Sequence, residues 1–306
     1  MKTRRILFTV LLSFLLFAQS YATAILKETK VFAEKDGQKL SLDIYRNDEK
    51  TVQPCLMFVF GGGFMGGERD YKAYSSYFDF FAKNGFTVVS IDYRLGMKGV
   101  KSPSKLNFKP LQNAISIAVE DLYTATDYIL KHASELNIDT SRIIISGSSA
   151  GAVTVLQADY IKRNDFPIAT ILPRNFQYAG VISFSGSIFS TKGLPSYKVA
   201  PAPTLFFHGN KDKMVPYNNI RFFNIGMFGS GSLTKRFKEN GYPYMFYTME
   251  NIAHDVAEYP MSDFQAEILQ FIQNFIFDKK PLRIEVNYYD KNRKSKMTMS
   301  TNEFYK

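Results

Sequence analysis

Tryptophan is absent from the 306 residues, histidine occurs three times and cysteine once. The single Cys55 excludes an internal disulfide, so the chain must hold itself together by burial. It opens the apolar run CLMFVF and is expected to be a small core residue with no chemistry of its own. Three scattered histidines and one cysteine do not make a transition-metal cluster. The chain's one glycine run, GGGFMGG, lacks the lysine that a phosphate-binding loop places after its last glycine. No metal and no cofactor are therefore expected.

Acidic residues are also in short supply, and the formal charge is +10. That excess is unevenly spread. Lys2, Arg4 and Arg5 supply three positives, and residues 279–306 hold eight Lys/Arg against three Asp/Glu. The body between them is nearly neutral, so the charge belongs to the two ends and no nucleic-acid partner is expected. At the N-terminus the basic residues precede an apolar run over 6–18, and small residues follow at Ser20, Ala22 and Ala24. This is the layout of a secretory signal over residues 1–24, cleaved after Ala22 or Ala24, and the run is short for a membrane span. The protein is expected in the periplasm or outside the cell, with no stable membrane insertion once the signal is removed.

The segment ETKVFAEKDGQKLSLDIYR alternates apolar and polar residues on both sides of Asp36-Gly37, which predicts a β-hairpin. Short Val/Ile/Phe-rich runs at 55–60, 87–92, 142–146, 179–184, 204–208 and 244–249 read as strands buried on both faces. Between them lie helical patterns: Leu111, Ile115, Ala118, Leu122, Ala125 and Ile129 form one stripe, and Ile268, Phe271, Ile272 and Phe275 another. Strand–helix alternation predicts one α/β domain over residues 25–280, a mostly parallel, doubly wound sheet led by an antiparallel hairpin. Residues 281–306 read as a basic extension, either an extra hairpin or a loose end.

In such a sheet function gathers at the carboxyl ends of strands. There, Gly147-Ser148-Ser149-Ala150-Gly151 fits G-x-S-x-G with Ser149 at its centre, after a strand and before a helix. Small flanking residues let the nucleophile sit on a tight turn, and the amide of Ala150 at the helix N-terminus faces a forming oxyanion. A serine needs a base. Of the three histidines, His132 lies in a helical stretch and His208 ends a strand beside Gly209, whereas His254 follows the last strand. The acid expected to orient it is Asp212 in HGNKDKMVP, with Glu250 a weaker rival and Asp255 a poor one. Gly62 and Gly63, at the end of the first core strand, are expected to add oxyanion donors beside Ala150.

Together these elements resemble the α/β-hydrolase superfamily, and more narrowly its carboxylesterase and hormone-sensitive-lipase-like members, over residues 31–277. The specific parts are Gly61-Gly62-Gly63-Phe64, DYRL at 92–95, GSSAGA at 147–152, HGNKDKMVP at 208–216, and His254. By position the resemblance implies the triad Ser149, Asp212 and His254 with oxyanion amides on Gly62, Gly63 and Ala150. Two positions depart from it. Phe60 stands where many relatives have His, and Ser148 stands where Asp, Glu or His is common, which bears on subfamily and substrate. Exported relatives of the feruloyl- and acetylxylan-esterase kind imply small or polysaccharide-linked esters as substrates, although a carbohydrate binder without tryptophan is unusual. Residues 186–203 are expected to shape the pocket. A serine peptidase of the prolyl-oligopeptidase kind and an inactive binding protein of the same fold are the competing readings.

Overall fold

The computed structural model describes residues 24–100 and 107–306. Residues 1–23, which carry nearly all of the expected signal, lie outside it. Twelve strands follow in chain order: β1 (Leu26–Lys35), β2 (Gln38–Arg46), β3 (Gln53–Val59), β4 (Thr87–Ile91), β5 (Ile138–Ser148), β6 (Gly180–Phe184), β7 (Ser187–Ser190), β8 (Thr204–Gly209), β9 (Asn219–Phe222), β10 (Ile225–Gly229), β11 (Tyr244–Met249) and β12 (Arg283–Tyr288). Nine of them form one sheet in the order β1-β2-β4-β3-β5-β6-β8-β11-β12. Pairing is antiparallel from β1 to β4 and parallel from there to β12.

The β1–β2 hairpin turns at Asp36 and Gly37, both with positive φ, as a two-residue turn of this hand requires. β3, β4, β6 and β8 are buried almost throughout, which is why their sequences are near-continuous apolar runs. The chain steps one way from β3 to β4 and then back across β3 to β5. Right-handed crossovers therefore put helix Ser75–Lys83 and helix Lys109–Lys131 on opposite faces. Helix Ala150–Arg163 packs beside Lys109–Lys131. The reversal lies between β3 and β5, so their carboxyl ends open a crevice. The glycine run leaves β3 there, and the serine turn leaves β5.

Residues 281–306 form neither a hairpin nor a loose end. β12 extends the sheet as a parallel edge strand, with Ile284, Val286 and Tyr288 turned inward and Arg283, Glu285 and Asn287 exposed. Its charged outer face is what made it read as a tail, and charge on an edge strand discourages pairing with another chain. β12 ends beside Met249, at the same edge of the sheet as the crevice, and residues 289–306 turn back over that edge. A second small sheet, β7-β10-β9, stands beside the crevice.

Candidate active site

Ser149 occupies the turn between β5 and helix Ala150–Arg163 with φ 50° and ψ −113°, a conformation that ordinary residues avoid. Close packing enforces it. A Cβ on Gly151 would sit 1.9 Å from the carbonyl oxygen of Val59, and one on Gly147 would sit 2.4 Å from the backbone of Gly151. Only glycine at both places lets the helix start this close to β3, and that proximity drives the Ser149 side chain out into the crevice.

The base and the acid arrive from two other strand ends. Ser149 Oγ lies 2.7 Å from His254 Nε2, and His254 Nδ1 lies 2.7 Å from Asp212 Oδ2. All three are buried or nearly so. A carboxylate only accepts, so Nδ1 carries the proton and Nε2 is left to accept from the serine hydroxyl. Asp212 Oδ1 accepts from the amides of Met214 and Val215, each at 2.9 Å, which fixes the carboxylate plane. Burial pushes the Asp212 pKa up, but hydrogen bonds and charge from His208 and His254 outweigh it and hold the carboxyl well below the usual carboxylate range. Asp212, not Glu250 or Asp255, thus meets the imidazole. Asp255 is engaged elsewhere, accepting from Ser295 Oγ and the amides of Lys296 and Met297.

His208 stands behind the acid and hydrogen-bonds locally. It is fully buried, its Nδ1 lies 2.8 Å from Ser230 Oγ, and its Nε2 lies 3.2 Å from the Val215 carbonyl and 3.5 Å from Asp212 Oδ2. Both neighbours of Nε2 are acceptors, so Nε2 carries a proton and Ser230 donates to Nδ1. His208 is a positioning residue behind the acid. Its identity is visible in the sequence, but its link to Asp212 depends on the turn 210–212 folding back. His208→Phe is expected to lower kcat/KM about tenfold, a loss of ~1.4 kcal/mol. His208→Gln keeps a donor and is expected to retain most of the activity; equal rates for wild type and His208→Phe would remove this role.

Gly62 and Gly63 have φ 118° and 63°. Among the described residues, neither their amides nor that of Ala150 donates to a protein acceptor. Gly62, Gly63 and Ser149 border one cavity, and Gly63, Ser149 and Ala150 border a second. Three free donors therefore gather around the serine, with the helix dipole behind Ala150. Ser148 is not at the tip; its hydroxyl donates to the Ala257 carbonyl at 2.8 Å. Phe60 stacks on Tyr93 with centroids 4.4 Å apart and so packs under the glycine loop. Of residues 186–203, Phe189 reaches the second cavity, while Lys198 and Val199 bond to Asn164 and Arg163 on the helix behind.

The comparisons agree with this architecture. Residues 42–188 match the BD-FAE family model, which spans the glycine run and Ser149 but stops short of Asp212 and His254. Lipase 2 of Moraxella sp. (strain TA144) is 28% identical over 138 residues, 43% of this chain and 28% of that protein. The fumonisin B1 esterase of Sphingopyxis macrogoltabida is 31% identical over 101 residues, 32% of this chain and 18% of its own length. The chain thus spans under a third of these curated relatives. The structure of Thermogutta terrifontis esterase 2 with butyrate bound superposes with a TM-score of 0.60 at 21% identity, covering 84% of this chain and 95% of that one. The fold is that of an α/β hydrolase, and in sequence the chain is similar to part of a lipase and of an esterase.

Proposed function

We propose that the protein is a serine carboxylester hydrolase working through an acyl-enzyme. The observation that carries this reading is the continuous hydrogen-bonded line from Ser149 through His254 to Asp212, starting on a strained turn. Ser149 attacks the ester carbonyl while His254 Nε2 takes its proton. The amides of Gly62, Gly63 and Ala150 receive the oxyanion, each worth about 3 kcal/mol in the transition state. His254 then protonates the leaving alcohol, and water repeats the sequence on the acyl-enzyme.

The base must reach the leaving oxygen, so the alcohol lies on the His254 side and the acyl group on the other. The cavity bordered by His254 also exposes Glu68, Glu258, Tyr71 and Tyr74, a lining suited to a hydroxyl-rich alcohol. The other, of about 320 Å³, is bordered by Phe64, Phe108, Leu111, Val153 and Phe189, a lining suited to a short-chain or aromatic acyl group. These two linings support a sugar-linked acyl ester, and de-esterification of plant polysaccharides is the finer form of the proposal. Hydrolysis of p-nitrophenyl acetate to octanoate, a feruloyl ester and an aminoacyl anilide tests it. Ester cleavage dependent on Ser149 is the expected result. An inert wild type sinks the enzyme reading in favour of a binding protein, and faster anilide cleavage moves it to the prolyl-oligopeptidase kind.

The signal-like residues 1–24 support export to the periplasm or beyond. Sequencing of the mature protein is expected to begin at Thr23 or Ile25; a cytoplasmic protein that keeps Met1 removes this part of the proposal.

A further inference from the structure

We propose that residues 289–306 form a strap that sets which esters the site accepts, with Phe304 as the wall between the acyl and alcohol cavities. The inference rests on the ester-hydrolase reading and goes on to name the residue that discriminates among its substrates.

The strap is tied to three of the four loops that build the site. At the base loop, the amide of His254 donates to the Met297 carbonyl at 3.2 Å, and Ala253 N donates to Ser295 Oγ at 2.9 Å. At the acid loop, Thr301 Oγ1 donates to the Met214 carbonyl at 2.7 Å. At the glycine loop, Tyr305 Oη donates to the Gly63 carbonyl at 2.8 Å. These ties fix the strap from its middle to its last residues. Between them lies the single turn Thr301–Phe304, closed by a capping box in which Glu303 accepts from the amide and hydroxyl of Ser300 at 2.6 and 2.7 Å. A clamped turn holds its side chains in one direction.

Phe304 is the side chain so presented. It is only partly buried, and it borders both cavities beside Ser149. Its ring lies flush on Gly63, where an added Cβ would be 2.2 Å from Phe304 Cε1. Gly63 is glycine here for two reasons that coincide, a positive φ and the ring above it. An acyl chain entering along Gly63 and an alcohol leaving past His254 therefore share one aromatic wall. Size selection on either side depends on that ring, while the chemistry at Ser149 does not touch it.

Phe304→Ala is expected to merge the cavities and raise the octanoate-to-acetate ratio of kcat/KM at least tenfold, mainly through KM. Phe304→Leu is expected to fall between it and wild type, which guards against loss of fold in the smaller variant. Lys291→Ala, an exposed position of the same segment, is expected to leave the profile unchanged. Calorimetric binding of acetate, butyrate and octanoate to Ser149→Ala, with and without Phe304→Ala, reads the same wall without turnover. A shift in chain-length preference there supports the strap even if wild type hydrolyses no ester. A ratio within twofold of wild type in turnover and binding alike, or a uniform loss across chain lengths, overturns it.

Discussion

Ser149→Ala is expected to lower kcat for a p-nitrophenyl ester by about 10⁴- to 10⁶-fold, leaving only what free donors and binding supply. The loss is that large because base and acid act through the serine. With Oγ gone, the 2.7 Å bond to His254 Nε2 has no hydroxyl to activate, and the remaining line from His254 to Asp212 has nothing to deliver. Fold should be intact, since removing one oxygen from a largely buried turn leaves Gly147 and Gly151 packed as before. Equal unfolding midpoints with lost activity are the result to look for. More than about a hundredth of wild-type activity would point to another nucleophile.

Ser148→Ala is the informative companion. In sequence the two hydroxyls are neighbours in one glycine turn, and only their offset from the motif's centre separates them. In the structure they face different partners. Ser148 Oγ donates to the carbonyl of Ala257, in the turn that follows His254. Its loss leaves that carbonyl short of one donor, a cost of about 1–3 kcal/mol in stability. The chemistry has no use for it, so activity is expected to persist.

How far the sequence could be read depended on where each contact partner lies in the chain. Strands buried on both faces announce themselves, because burial demands unbroken apolar runs, and 244–249 coincides with β11 to the residue. The elbow was legible because glycines are required on both sides of Ser149, a local demand. β12 was not, since half of an edge strand faces water and Arg283 and Glu285 there read as a charged tail. The strap was invisible for a different reason. Its ties at Gly63, Met214 and Met297 end on main-chain oxygens, which every residue has, and those through Ser295 and Asp255 join residues forty or more positions apart. The hairpin of β9 and β10 likewise gave little sign, its turn being made by Phe223 and Asn224 in place of the usual glycine. His208 lay between these cases: it stood out as one of three histidines, but its approach to Asp212 is a tertiary fact.

Asp212→Asn is expected to reduce kcat by about 10⁴-fold with the triad geometry preserved. The carboxylate meets donors on both oxygens: the amides of Met214 and Val215 on Oδ1, and the Nδ1–H of His254 on Oδ2. An asparagine has one acceptor oxygen, so one of its two orientations must be chosen. With the oxygen toward the main-chain amides, the NH₂ faces His254 Nδ1 and donates to it. The ring proton is then driven to Nε2, where it blocks acceptance of the serine proton. With the amide turned over, the NH₂ faces two backbone donors, leaving them buried and unpaired at about 1–3 kcal/mol each. The first arrangement costs less, so the protein should fold and fail at the proton transfer. The pH dependence separates the two roles of the carboxyl. Its pKa is held below the ordinary range when folded, so its stabilising contribution is complete above the usual carboxylate pKa and is lost only as pH falls through the lower folded value. In wild type, the fall of kcat/KM toward acid should therefore contain no titration of Asp212. In Asp212→Asn, the wild-type excess stability near neutral pH should be gone, and the gap between the two proteins should close only in strong acid. Unfolding by denaturant from pH 7 down to pH 2 measures that gap. A gap already closed at pH 4 would mean that the His208 and His254 bonds do not hold the carboxylate as described.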